Sequence, residues 1–192
     1  MLTDQTGASP QPEPQSDPQE SVALPDTHGQ LVIIGGAEDK EGDCKILREF
    51  VRRAGGLQAR IAVMTVATGF ADEVAKTYTE VFQRLGVESV KVVDTGKRED
   101  ANDPKALEAI QDATGVFFTG GNQARITECL KDTELDAAIH KQFAEGIVVA
   151  GTSAGAAMMP DTMIVEGESE TNPRMEVVRM DRGMGFLPYV II

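Results

Sequence analysis

From residue 30 onward the chain alternates short apolar runs with longer stretches whose apolar residues recur at helical spacing. Five runs have strand character: Leu31-Val32-Ile33-Ile34, Ile61-Ala62-Val63-Met64, Val90-Lys91-Val92-Val93, Val116-Phe117-Phe118 and Ile147-Val148-Val149-Ala150. Continuous apolar runs of this kind belong to strands covered on both faces. Between them, Ile46, Leu47, Phe50 and Val51 mark one face of a helix, and Val74, Tyr78, Val81, Phe82 and Leu85 mark another. Gly55-Gly56 stops a helix before the second run, and Gly86 precedes the third. Strands alternating with helices predict parallel βαβ units, so the fold class is α/β, a three-layer α/β/α sandwich around a mainly parallel sheet.

Residues 1–29 have a different composition. Pro10, Pro12, Pro14, Pro18 and Pro25 stand among Gln, Ser, Asp and Glu, too polar to offset chain entropy by burial, and this predicts a disordered tail with no binding motif. Residues 30–192 remain as one α/β domain, and about 160 residues can close a single core without disulfides. The 31 Asp and Glu outnumber the 18 Lys and Arg, for a net charge of −13. With no basic stripe, that charge argues against nucleic acid and anionic lipid as partners, and leaves a cationic substrate open. No window reaches the length of a membrane span, and the N-terminus lacks the basic start and apolar core of a secretion signal, so the expected location is the cytoplasm. Cys44 and Cys129 lie far apart in helical patterns with no clustered His, and read as reduced packing residues; no metal site and no cofactor is expected.

Candidate chemistry concentrates where strands end. Gly151-Thr152-Ser153-Ala154-Gly155 directly follows the fifth apolar run and precedes the helix-compatible Ala156-Ala157-Met158-Met159. That is the pattern of a nucleophile elbow, a serine on a tight strand-to-helix turn with its hydroxyl exposed above a parallel sheet. The Ala154 N–H at the start of the following helix suits a developing oxyanion. Gly120-Gly121, in Thr119-Gly120-Gly121-Asn122-Gln123, can bring further backbone N–H groups to a ligand. Gly35-Gly36 reads as a simple strand terminator, and neither glycine pair has the spacing of a dinucleotide or phosphate loop. Glu38 and Asp39 are candidates to line the same cleft, with a helix N-terminal cap an equal reading of Asp39.

Taken together, Leu31 to Lys40, Phe118 to Gln123, Gly151 to Ala156, Met163 to Gly167 and Gly183 to Leu187 resemble the cyanophycinases, over essentially all of residues 30–192. The resemblance implies a cytoplasmic serine exopeptidase, related in fold to aspartyl dipeptidase and class I glutamine amidotransferases. Its substrate would be cyanophycin, a poly-aspartate backbone with arginine on each side-chain carboxyl, released as β-aspartyl-arginine dipeptides. Ser153 would then attack the α-peptide carbonyl and form an acyl-enzyme, with the N–H groups of Gly121 and Ala154 as oxyanion hole. Gln123 matches a substrate-contacting glutamine of that family. Of Glu166, Glu168 and Glu170, Glu168 is the candidate to accept a bidentate guanidinium, against the competing reading of a solvated acidic run.

The family's pattern continues past the last strand into an Asp-Gln-His segment that supplies the general base, whereas this sequence stops at Ile192. The domain is therefore expected to be C-terminally incomplete, and the chain on its own inactive. His28 falls in the tail; His140 falls in the helix before the fifth strand, on the order of 15 Å from Ser153 along that strand, and reads as an ordinary helix-surface residue. Tyr189-Val190-Ile191-Ile192 reads as an apolar strand with no polar stop. Two alternatives stay open, an aspartyl dipeptidase-like enzyme acting on related aspartyl peptides and an inactive or binding remnant. Exposed helices of such a sandwich make a homodimer an expected assembly.

Overall fold

The computed structural model describes residues 29–167 and 178–192, and each apolar run forms a strand: β1 (Gln30–Ile34), β2 (Arg60–Met64), β3 (Ser89–Val93), β4 (Gly115–Phe118) and β5 (Val148–Thr152). All five are parallel, in the order β1-β5-β4-β2-β3. Helices fill the crossovers: α1 (Lys45–Arg53), α2 (Ala71–Arg84), α3 (Pro104–Asp112), α4 (Gln123–Leu130) and α5 (Glu134–Ala144), with the single-turn α6 (Ala154–Ala157) after β5. An antiparallel hairpin, β6 (Thr162–Gly167) with β7 (Val178–Arg182), follows.

Handedness decides which helix covers which face. The chain steps one way across the sheet from β1 to β2 to β3 and back again through β4 to β5. Right-handed crossovers therefore put α1 and α2 on one side and α3, α4 and α5 on the other. The pleat distributes side chains accordingly. Val63, Phe117 and Ala150 pack with Phe50, Tyr78 and Phe82, while Met64, Phe118 and Val149 pack with Ile110, Ile126, Leu130 and Ile139. Rings of Phe50, Tyr78, Phe82 and Phe117 lie with centroids 4.8–6.1 Å apart. Aromatic rings of this kind bury roughly 150–250 Å² each, so this cluster is the main apolar weight of its layer.

Local polar groups start the helices. Asp103, Asn122 and Thr133 accept from the first turns of α3, α4 and α5. Asp39 accepts from the N–H groups of Glu41, Gly42 and Cys44 at 3.0, 2.8 and 2.9 Å. Those bonds, led by Cys44, hold its carboxyl below the usual carboxylate range. Asp39 thus shapes the approach to α1 without capping it, since the N-cap position is Cys44.

One reading of the sequence changes. Tyr189–Ile192 forms no strand: Pro188 has no N–H to give a ladder, and Tyr189 turns the chain at φ 61°. Met163–Gly167 is part of β6. The tail as far as residue 28, with His28, lies outside the described residues, as do Glu168 and Glu170.

Candidate active site

Ser153 is the one residue between β5 and α6, and its backbone is at φ 53°, ψ −114°. A non-glycine residue there costs on the order of 1–3 kcal/mol and persists only where its surroundings fix it. Here the Ser153 N–H donates to the Ile34 carbonyl at 2.9 Å, and its own carbonyl accepts from Ala156 and Ala157 at 2.9 Å each. The flanking glycines answer a steric demand. A methyl group on Gly151 would run into the Gly155 carbonyl, and one on Gly155 into that of Phe118. Thr152 and Ala154 are buried while Ser153 is exposed, so the turn pushes one side chain out of a closed backbone.

Two strand ends flank that side chain. A methyl placed on Gly36 or Gly120 would stand 3.5 or 3.4 Å from Ser153 Cβ, and 4.0 or 3.9 Å from its Oγ. Gly36 is more than a strand terminator: at φ 115° it holds a backbone conformation that favours glycine, and it brings the end of β1 beside the serine. The loop after β4 is fixed from below, since Asn122 N–H donates to the Ala67 carbonyl at 2.9 Å. Gly121, at φ 145°, presses on the same carbonyl, leaving no room for a side chain. Among the described residues neither the Gly121 nor the Ala154 N–H has a backbone acceptor. Ala154 directly follows the serine, and Gly121 directly follows Gly120, whose Cα lies beside Ser153.

Gln123 begins α4, and its amide Nε2 donates to the Ile164 carbonyl at 2.8 Å, tying α4 to the β6–β7 hairpin. Glu168 falls outside the described residues; Glu166, exposed on β6, stands 3.6 Å from Arg179.

Glu38 is the residue whose importance the sequence understated. Its side chain is only 1% exposed. One carboxylate oxygen accepts from the Thr152 hydroxyl at 2.6 Å, and the other accepts from the Tyr78 hydroxyl and lies 2.9 Å from Lys40 Nζ. Burial alone would raise its pKa, but the bonds from Thr152, Tyr78 and Lys40 outweigh it and hold the carboxyl below the ordinary 4.5. Burial and the neighbouring carboxylate push the Tyr78 phenol well above its usual value. No periodicity betrays such a carboxylate, because its partners Thr152 and Tyr78 are 114 and 40 residues away.

His140 is not an ordinary surface residue. Its Nε2 is 2.9 Å from the Met184 carbonyl and 3.4 Å from Asp136 Oδ1. The ring stacks on Phe186 at 4.3 Å between centroids. It lines a groove with Gly29 and Leu31, at the start of β1 and so at the amino edge of the sheet. Ser153 stands at the carboxyl edge. Among the described residues, nothing hydrogen-bonds the Ser153 hydroxyl, no cluster of His, Cys, Asp and Glu is placed to hold a metal ion, and no helix is long and apolar enough to cross a membrane.

The chain is 38% identical over 165 residues to a cyanophycinase of Synechococcus elongatus, covering 85% of this chain and 51% of that protein. It is 36% identical over 167 residues to a cyanophycinase of Trichormus variabilis, covering 86% of this chain and 56% of the relative. The chain thus spans about half the length of the curated relatives it matches. In fold it is similar to the crystal structure of a peptidase from an acI-B1 Actinobacterium, with a TM-score of 0.69 at 23% identity over 84% of this chain and 66% of the other. The model of peptidase family S51 matches residues 31–192, which takes in all five strands of the sheet but for Gln30, the glycine-flanked serine turn and the hairpin beyond it, and so the chain belongs to peptidase family S51.

Proposed function

We propose that this chain carries the nucleophile and oxyanion-stabilising part of a serine exopeptidase that degrades cyanophycin. The observation that carries the reading is Ser153 itself: a strained, exposed serine between β5 and α6, followed directly by Ala154, whose N–H has no backbone acceptor among the described residues. Cyanophycinase relatives over most of the chain's length support the substrate.

In this reading a backbone carbonyl of the polymer lies over Ser153. The Oγ attacks the carbonyl carbon, and a base takes the hydroxyl proton. The tetrahedral oxyanion is received by the Gly121 and Ala154 N–H groups, which need no rearrangement as the charge develops. Collapse expels the amine, which takes up the proton held by the base, and leaves an acyl-enzyme that water hydrolyses, so that each round frees a β-aspartyl-arginine dipeptide. Gln123, held by its amide on Ile164, keeps its carbonyl oxygen for the substrate. The surplus of acidic residues suits a polymer that carries a guanidinium on every repeat.

The test is Ser153→Ala in the full natural protein, assayed for dipeptide release from cyanophycin. Loss of a triad nucleophile typically lowers kcat by about 10⁶-fold, so activity should fall by several orders of magnitude with the fold unchanged. Retention of most of the activity would reject the assignment.

A further inference from the structure

The mechanism above leaves the buried Glu38 carboxylate without a task. It stands on the loop that leaves β1, and that loop meets the serine turn at three successive points. The Ile34 carbonyl accepts the Ser153 N–H at 2.9 Å. Gly36 lies against Ser153 Cβ. Glu38 accepts the hydroxyl of Thr152, the residue directly before the serine, at 2.6 Å. Behind the carboxylate, Tyr78 from α2 and Lys40 from the same loop hold it in place.

Three donors converge on one side chain, which calls for a group that only accepts; an ionised carboxylate has about four acceptor sites, and a glutamine would turn an N–H toward one of these donors. A hydrogen bond to a buried charge is also shorter and stronger than a neutral one. The threonine hydroxyl is thereby locked to a charge that is itself fixed from two elements. Strain at Ser153 needs such fixing, because nothing in the serine's own side chain favours a positive φ. We infer that Glu38 is a positioning residue for Ser153: through the Thr152 hydroxyl it clamps the end of β5 and holds the serine in its reactive orientation. The inference rests on Ser153 being the nucleophile.

The experiment uses the full natural protein with Thr152→Val, Thr152→Ser, Glu38→Gln and Ser153→Ala. Its readouts are kcat and KM on cyanophycin, the rate of Ser153 labelling by a fluorophosphonate, and the thermal midpoint. Thr152→Val keeps the shape and removes the donor. It should lower kcat and labelling rate together by about 10- to 100-fold, the fold-change that a lost charged hydrogen bond converts to. KM should stay within about twofold, because substrate contacts are untouched. Thr152→Ser, which restores the hydroxyl, should recover most of both rates. Unchanged kcat and labelling in Thr152→Val, or a loss that Thr152→Ser reproduces in full, would overturn the inference. Should Thr152→Val fail to fold, Glu38→Gln decides by the same two rates, with wild-type values counting against a positioning role. Failure of the nucleophile assignment shows separately, as activity surviving in Ser153→Ala or a label carried on another serine, and it would overturn both readings.

Discussion

The two ends of the central sheet carry the two side chains that a serine-hydrolase reading would first try to pair, and they treat them in opposite ways. At the carboxyl edge the backbone is closed around Ser153 by Gly151, Gly155, Gly36 and Gly120, and the side chain is left open. At the amino edge His140 has its Nε2 on the Met184 carbonyl and one ring face on Phe186. Lys131 adds a second donor to the same carbonyl at 2.7 Å. Reactivity follows what is left unsatisfied. In the proposed reading a serine with a fixed backbone and a free hydroxyl is ready for substrate, whereas the imidazole, engaged at face and nitrogen, ties α5 to the segment after β7.

The largest effect should come from breaking the closed backbone. Gly151→Ala pushes a methyl group into the Gly155 carbonyl, with no flexible side chain to yield. Destabilisation beyond the ordinary overpacking range of about 1–3 kcal/mol is expected in urea unfolding, together with loss of fluorophosphonate labelling at Ser153. Gly35→Ala is the control, since nothing lies within 4 Å of a methyl group there and its φ is not positive. It should stay within about 0.5 kcal/mol of the parent. Equal stability of the two variants would mean that the glycine packing around the turn is not what fixes it.

An intermediate effect should separate the two edges. His140→Ala removes the stack on Phe186 and the bond to Met184, and leaves the buried Asp136 without its imidazole neighbour. A stability loss of about 1–3 kcal/mol is expected, with kcat on cyanophycin unchanged in the full protein at a temperature where both are folded. A drop in kcat by orders of magnitude at unaltered stability would place His140 in the reaction and remove the contrast between the edges.

Local pattern made most of the fold legible. The five apolar runs sit within or beside the five strands, because strands covered on both faces leave a continuous apolar signature that few other elements share. The serine turn was readable for a related reason: Gly-x-Ser-x-Gly states its own steric demand within five residues. Long-range geometry was not readable. Glu38 looks like any acidic loop residue until Thr152 and Tyr78 are brought to it, and Gly36 looks like a strand stop until β5 is laid beside β1. His140 falls on a helix surface by periodicity, yet Phe186 and Met184 come from 46 and 44 residues further on to cover it. The apolar run at Tyr189–Ile192 misled for the opposite reason, since composition suggested a strand and Pro188 together with the positive φ of Tyr189 denied it a partner.

The smallest expected effect concerns acid. Glu38 has a folded-state pKa below the ordinary 4.5 because the bonds from Thr152, Tyr78 and Lys40 outweigh its burial. The unfolded chain therefore takes up a proton at higher pH than the folded one. The stability that this carboxylate adds is fully present above the unfolded value and fades as pH falls through the folded one. Asp39, Glu49 and Asp112 are also held below their usual values and give the protein acid sensitivity of their own. Their share is common to the parent and to Glu38→Gln and cancels in the difference. Unfolding free energies of the two proteins, measured from about pH 7 down to about pH 3, should show Glu38→Gln the less stable at neutral pH, with the gap narrowing in acid. A gap independent of pH would mean that the carboxylate's charge adds nothing to the clamp beneath Ser153, and that the carboxyl edge is held by its glycine packing alone.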